Sequence, residues 1–476
     1  MGSEMIVVIM AGGFGTRFQT MTRQMALENE KLFGEKCVDI PKPMAVIGGI
    51  PVLEREINCL KDQGYKEILI TASYLSKVIE DYFGDGSGVS RATGKPFDCH
   101  ISYFIEKQPL GNAGALWKCY DYLSDDFLLL NADSLFNIDF GRFVKFHYEH
   151  KALVTLFTHP NAHPYDSGLI ITGTNHVVQS WLNKEDRRPE WYANRVNAGI
   201  HVINKKALDV AVDLSNIDID HIGEKDINGE IIKVDLDRQL LKPICQTKKV
   251  YSYDSPEYVK DMGTPDRFHQ VCADFHNGII EKKNLIHRQR AIFLDRDGTI
   301  NKYVGFLTDI KDFELIDSIT DGIIRINKSG YLCIVITNQP VVARGEVTID
   351  ELDIIHKRME TELGNKGAYI DAIYYCPHHP DKGFVGEIPE LKVDCTCRKP
   401  KPGMIFRAAE DFNIDLSSSW IFGDGQNDIL CGINAGVHTA LYVGEGSDSL
   451  HMPKNGVNPD LICRSLTELC NYLGLQ

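Results

Sequence analysis

Short unbroken apolar runs alternate along the chain with stretches in which apolar positions recur every three or four residues. Residues 5–10 (MIVVIM), 67–71 (EILIT) and 127–133 (FLLLNAD) belong to the first kind, the pattern of strands buried on both faces. Between the first two, Val52, Leu53, Ile57 and Leu60 recur at helical spacing, and Gly64 ends the helix. Asn197, Ala198 and Gly199 precede a further strand at 200–203, IHVI. The alternation returns after residue 290, with strands at 291–294 (AIFL), 331–338 (YLCIVITN) and 420–423 (WIFG) and a helix over 316–330 that aligns Ile319, Ile323 and Ile326. Repeated strand–helix units predict mostly parallel sheets covered by helices, an α/β protein of two three-layer domains. Residues 276–290 (HNGIIEKKNLIHRQR) have little apolar periodicity and read as a linker between domains at 5–275 and 291–476.

Composition changes this picture little. The chain has 476 residues, 43% of them hydrophobic and 25% charged, as in ordinary globular proteins. Its formal net charge of −15 argues against nonspecific affinity for nucleic acid or anionic membranes. No apolar stretch is long enough to span a bilayer, and the opening MGSEMIVVIMAGG runs into a glycine loop rather than a cleavage site, so a cytoplasmic protein with small-molecule partners is expected. A homo-oligomer stays open. Thirteen cysteines are scattered along the chain. Most, including Cys59, Cys119, Cys272 and Cys333, read as reduced core residues.

The N-terminal half places chemistry at strand ends. In AGGFGTRF (11–18), glycines after a strand let backbone N–H groups approach a polyphosphate, and Arg17 can neutralise charge. Lys42 stands between two prolines and is either a surface residue or a phosphate ligand. EKQPLGNAGAL (106–116) is a loop that opens a helix. Asp133 ends a buried strand and suits Mg2+ or a turn. Asp261 precedes a Gly-Thr-Pro turn.

Together GGFGTR, PKPM, QPLGNAGA, NADS, the NAG element and DMGTP resemble, in order, the sugar-1-phosphate nucleotidyltransferases over residues 5–275. The resemblance implies a Rossmann-like domain that transfers a nucleoside monophosphate to a sugar 1-phosphate and releases pyrophosphate. It implies that Ala11, Gly12, Gly13, Gly15, Thr16 and Arg17 hold the triphosphate with Lys42, that Gln108 and Gly111 lie near the base, and that Asp133 and Asp261 bind Mg2+. It puts Asn197 and Lys184 at the sugar phosphate. Three features depart from the family pattern. Residues 18–40 intervene before the Pro-Lys-Pro, Asn112 stands where Thr is common, and Asn183-Lys184 stands where a Glu-Lys pair is expected.

In the C-terminal half, AIFLDRDGTIN (291–301) brings Asp295 and Asp297 to a sharp turn after a strand. Paired acids there suit a metal ion and attack on a phosphoryl group, although a solvated turn has the same pattern. Thr337 and Asn338 end a second strand and could hold phosphoryl oxygens, CRKPKPGM supplies Lys399, and Asp424 and Asp428 follow a third. These elements resemble the haloacid dehalogenase superfamily, also Rossmann-like, over about residues 290–445. The resemblance implies that Asp295 is the nucleophile and Asp297 the general acid and base. Mg2+ would be held by Asp295, the Asp297 carbonyl and Asp424, while Thr337 and Lys399 neutralise the phosphoryl group and Asp428 orients Lys399. Between Thr337 and Lys399, Cys376, His378, Cys395 and Cys397 form a C-x-H and C-x-C set suited to structural Zn2+. His379 is an alternative ligand, and a cluster of reduced thiols is the other reading.

DRDGTIN, the later GF segment, TNQ with the ARG at 343–345, CPHHP, CTCRKPKPGM and the GD element resemble the D-glycero-D-manno-heptose 1,7-bisphosphate phosphatases. Histidinol-phosphate phosphatases share most of these features, and Pro340-Val341 replaces the usual Ser-Gly. The resemblance implies removal of the 7-phosphate, with Arg344 and Arg398 as ligands of the distal phosphate. A sugar 1-phosphate left by one domain is the substrate class of the other. The expectation is therefore a bifunctional enzyme of NDP-heptose biosynthesis that uses heptose bisphosphate, heptose 1-phosphate and GTP or another NTP. The likeness of the first domain to guanylyltransferases implies GTP and the α-anomer. The alternatives are another sugar, such as mannose 1-phosphate, or a first domain that only senses nucleotides.

Overall fold

Val7–Ala11 (VVIMA) is apolar throughout and is buried on both faces, as a strand at the centre of a three-layer fold must be. It pairs in parallel with Glu67–Ala72 on one side and Asp126–Asn131 on the other. Val196–Asn204 then joins antiparallel in a nine-stranded sheet. Because successive strand residues face opposite sides, Val7 and Ile9 pack with Ile68, Ile70, Leu128 and Leu130, whereas Val8 packs with Leu69, Phe127 and Leu129 across the sheet. The computed structural model describes residues 5–13, 18–447 and 456–476. The chain divides into two units, one of 1–158, 170–181 and 197–284 and the other of 159–169, 182–196 and 285–476.

Two local expectations are corrected. The strand thought to end at Asp133 stops at Asn131, and Asp133 occupies the turn before Ser134–Asn137. Asn197 and Gly199 lie within the strand Val196–Asn204, not before it. Gly199 has φ +74° and a Cβ there would meet Asn131 Nδ2 at 2.6 Å, so this glycine permits a close approach inside a strand rather than a turn. Residues 276–290 include the helix Ile279–Lys282, whose Ile279 and Ile280 pack with Phe268 and Val271.

The second unit is built on six parallel strands. Their spatial order is Ala372–Cys376, Tyr331–Asn338, Arg290–Leu294, Trp420–Gly423, His438–Tyr442 and Leu461–Cys463. Ile292, Leu294, Cys333, Val335 and Phe422 face one core, and Ala291, Phe293, Leu332, Ile334 and Ile421 face the other. From Arg290–Leu294 the chain first builds strands to one side and then returns to the other. The direction reverses beside Leu294, where open α/β sheets bind ligands at the carboxyl ends of their strands. In the same unit, the helix Ile349–Asn365 ties Glu360 to Arg195 at 3.0 Å and Thr361 to Tyr192. No described helix is long and apolar enough to cross a membrane.

Candidate active sites

At the strand reversal, Asp295, Asp297, Thr337, Lys399, Asp424 and Asp428 line a cleft of about 460 Å3. Lys399 is buried, with Nζ 2.7 Å from Asp295 Oδ1 and 2.6 Å from Asp428 Oδ1. Burial opposes its charge, but the two carboxylates hold the ammonium above its ordinary pKa. Burial and then Asp428 push the Asp295 carboxyl up, to about 7, against the pull of Lys399. Asp295, Asp424 and Asp428 place oxygens within 4.8 Å of one another. Gly298 makes this approach possible: at φ +83°, a Cβ there would lie 2.1 Å from Asp424 Oδ2.

The amide of Asn338 gives an N–H to Lys399 O at 3.0 Å and accepts Lys399 N at 2.9 Å. It thereby fixes the lysine main chain at the strand end. Thr337 is buried in the cleft wall and accepts from Gln339 Nε2 at 2.9 Å. Arg398 lines the cleft, whereas Arg344 lies between the rings of Phe306 and Phe384 at 4.1 and 4.5 Å.

Cys376, His378, Cys395 and Cys397 bring their ligand atoms within 4.8 Å of one another and could hold a metal ion. Cys397 Sγ lies 3.2 Å from Cys376, 3.3 Å from Cys395 and 3.3 Å from His378 Nδ1. Hydrogen bonding from Cys376 holds the Cys397 thiol down, to about 5, so the cluster favours a thiolate ligand. His379 turns elsewhere: its Nδ1 accepts from Asp381 N at 3.2 Å. Cys376 closes the strand Ala372–Cys376, and Cys397 precedes Arg398 and Lys399. The cluster thus pins the lysine loop to the sheet.

In the first unit, Ala11, Gly12, Gly13, Lys42, Gly111 and Asp133 line a cleft of about 590 Å3. Lys42 Nζ lies 3.1 Å from Asp133 Oδ2 and 3.8 Å from Asp261 Oδ1, bridging two acids that are distant in sequence. Met262 N donates to Asp133 O at 3.0 Å, and Arg267 pairs with Asp261. Gly111 has φ +84°, and a Cβ there would lie 2.3 Å from Val234 O. Gly15, Thr16 and Arg17 fall outside the described residues.

Four expected ligands do not line this cleft, although Asp261 stays close to it through Lys42 at 3.8 Å. Gln108 is exposed. Asn197 accepts from His201 Nε2 at 3.1 Å, and burial pulls that imidazole down to about 3, so the ring is neutral. Lys184 belongs to the second unit and pairs with Asp166 at 3.3 Å.

Two acids in the first unit escaped the sequence reading. Glu106 lines the cleft, with Oε2 accepting from Leu110 N at 3.2 Å. Its position two residues before Gln108, in the loop already singled out, was the available signal. Glu56 is fully buried and neither of its oxygens has a hydrogen-bond partner. Burial and then Asp133 push its carboxyl well above the carboxylate range despite Lys42. Nothing local to ERE (54–56) distinguishes it.

The nucleotidyl transferase family model matches residues 6–278 and the HAD-hydrolase-like model matches residues 396–469. The chain is 37% identical over 179 residues to the D-glycero-beta-D-manno-heptose-1,7-bisphosphate 7-phosphatase of Escherichia coli (strain K12), a match spanning 38% of this chain and 91% of that protein. It is 39% identical over 168 residues to the D-glycero-alpha-D-manno-heptose-1,7-bisphosphate 7-phosphatase of Photorhabdus laumondii, across 35% of this chain and 90% of that one. Among solved structures, HddC from Yersinia pseudotuberculosis matches at 22% identity and a TM-score of 0.40, over 57% of this chain and 99% of that chain. The chain therefore belongs to the nucleotidyl transferase family and, in its C-terminal part, to the family of heptose-bisphosphate 7-phosphatases. It is an enzyme with a nucleotidyltransferase and a phosphatase in one polypeptide.

Proposed function

We propose that the C-terminal unit hydrolyses the 7-phosphate of D-glycero-D-manno-heptose 1,7-bisphosphate. The N-terminal unit then transfers GMP from GTP to the heptose 1-phosphate so formed and releases pyrophosphate. One observation carries this reading: a chain that matches bisphosphate 7-phosphatases also contains a nucleotidyltransferase. Removing the 7-phosphate leaves the anomeric phosphate that the second reaction requires.

In the phosphatase, the Asp295 carboxylate attacks phosphorus as the bond to the sugar oxygen breaks, and that oxygen takes a proton from Asp297. Water then attacks the aspartyl phosphate, gives a proton back to Asp297 and frees Asp295 and inorganic phosphate. Lys399 and Thr337 offset charge on the phosphoryl oxygens. The acids Asp295 and Asp424 are hard oxygen donors in close reach, a set that fits Mg2+ together with the Asp297 carbonyl. Bound there, Mg2+ supplies positive charge beside the phosphoryl group.

In the transferase, an oxygen of the sugar phosphate attacks the α-phosphorus of GTP as the bond to pyrophosphate breaks. Lys42, the glycine loop and Arg17 hold the triphosphate against the incoming anion. Asp133 and Asp261 suit Mg2+ shared with substrate phosphates. Glu106 favours guanine, because a carboxylate accepts from two adjacent N–H donors of that base, N1–H and the N2 amine, whereas adenine offers one amine. GTP is expected to exceed ATP in kcat/KM by about tenfold or more, and Glu106→Gln to remove most of that preference. Equal use of both nucleotides by the unaltered protein would count against the guanine assignment.

The Cys/His set fits Zn2+ in a structural role, with three sulfur donors and one nitrogen. Cys395→Ser is expected to release about one zinc per chain and to lower the melting temperature of the phosphatase unit by about 5 °C or more, read by metal analysis and calorimetry. The function as a whole is tested by mass spectrometry of products from purified protein, Mg2+, the separate α and β bisphosphates, and GTP or ATP in turn. GDP-heptose from the α substrate supports the full reading. Phosphate release without any nucleotide sugar would leave the phosphatase and refute the proposed transfer.

A further inference from the structure

Asp297 is held by several donors. Burial works against its charge, but the Arg296 guanidinium and the amides of Gln339 and Asn301 hold the carboxyl below its ordinary pKa. It therefore stands ionised, the form that takes a proton back after giving one up. Its Oδ1 accepts from Arg296 Nε at 3.1 Å, Arg296 Nη2 at 2.8 Å and Asn301 Nδ2 at 3.1 Å. Its Oδ2 accepts from Arg296 Nη2 and Gln339 Nε2, each at 2.8 Å. Arg296 is the adjacent residue, and a guanidinium beside a phosphate-binding cleft would ordinarily turn outward to solvent or toward the anion. Here it is fully buried.

The second anchor of this arginine is His356. Arg296 Nη1 lies 3.2 Å from His356 Nε2, on the helix Ile349–Asn365. The His356 ring is buried and packs against Tyr375 at 5.6 Å between centroids. Burial, with help from the Arg296 charge, pulls its imidazole down to about 3, so the ring is neutral and Nε2 accepts the guanidinium hydrogen. A planar guanidinium has a fixed geometry. Fixing the direction of Nη1 therefore fixes the Nε and Nη2 edge that grips Asp297.

We propose that His356 is a positioning residue of the phosphatase. Through Arg296 it holds the Asp297 carboxyl in the orientation from which a proton passes to the departing sugar oxygen. The inference rests on the reading of Asp297 as the general acid and base. It extends the site to a helix that contributes nothing to the cleft lining.

The test uses leaving groups of different need. A sugar alkoxide cannot depart without a proton, whereas p-nitrophenolate is a stable anion that leaves unaided. In the full-length protein, His356→Leu is expected to lower kcat on the sugar bisphosphate by about 100-fold, with a loss at least about tenfold smaller on p-nitrophenyl phosphate. His356→Gln, whose Oε1 can accept from Nη1, is expected to restore most of the lost rate. Equal losses on both esters, or no loss on either, would overturn the proposal. Should His356→Leu fail to fold, as judged by circular dichroism, His356→Met carries the same comparison. Asp297→Asn separates the two levels of the argument. If it shows no leaving-group selectivity, the acid–base reading fails and takes the His356 role with it. If it shows selectivity while the His356 variants do not, only the role of His356 falls.

Discussion

Asp295→Asn is expected to reduce phosphate release from the bisphosphate by about 1,000-fold or more, while transfer of a nucleotidyl group to supplied heptose 1-phosphate continues at the unaltered rate. The amide has nearly the shape of the carboxylate but lacks the anionic oxygen that must form the bond to phosphorus. Lys399 would keep Asp428 at 2.6 Å as its partner, so the buried ammonium is not left alone. The change should therefore act on chemistry rather than on folding, which calorimetry would check. Phosphate release within tenfold of the unaltered protein would remove Asp295 from its assigned role.

Lys42→Met should have the reciprocal effect, lowering nucleotidyl transfer by about 100- to 1,000-fold and leaving the phosphatase intact, so that heptose 1-phosphate accumulates. Lys42 lies within 3.8 Å of both Asp133 and Asp261. Its loss takes a cation from the triphosphate and also leaves two acids facing each other without compensation. An Arg replacement is larger and planar, and should not restore the full rate. Mixing the Asp295→Asn and Lys42→Met proteins should recover nucleotide sugar from the bisphosphate, because the intermediate is a small molecule that can pass between chains. Continued transfer by Lys42→Met at an undiminished rate would exclude Lys42 from the nucleotide site.

The heptose reading and the separate roles of the two halves rest on features close together in the chain. AIFLDRDGT couples a buried strand to the acids at its end, and Lys399 follows Cys395 and Cys397 closely in the chain. The donors of each zinc-type pair are separated by a single residue, Cys376 from His378 and Cys395 from Cys397, so their spacing alone indicated a joint site. The loop at 106–116 was visible for the same reason. Which of its residues faces the cleft was not: Gln108 is exposed and Glu106 lines the wall, a difference set by the path of the backbone around Gly111 and Val234. Asn197, Ala198 and Gly199 read as residues before a strand, whereas they lie inside it and the glycine serves close packing on Asn131.

The sequence by itself determined the two α/β units and the acids, lysines and thiols at their strand ends, because strand and helix periodicity and the residues that terminate an element are local properties. Only the tertiary structure decided which side chains meet. Lys42 reaches Asp133 across 91 positions and Arg296 reaches His356 across 60. Contacts of that range depend on how sheets and helices pack and on which face each element buries, and no local pattern encodes them. The neutral His356 and the buried Glu56 follow from the same packing, since a group's charge depends on the water and partners that the folded chain leaves around it.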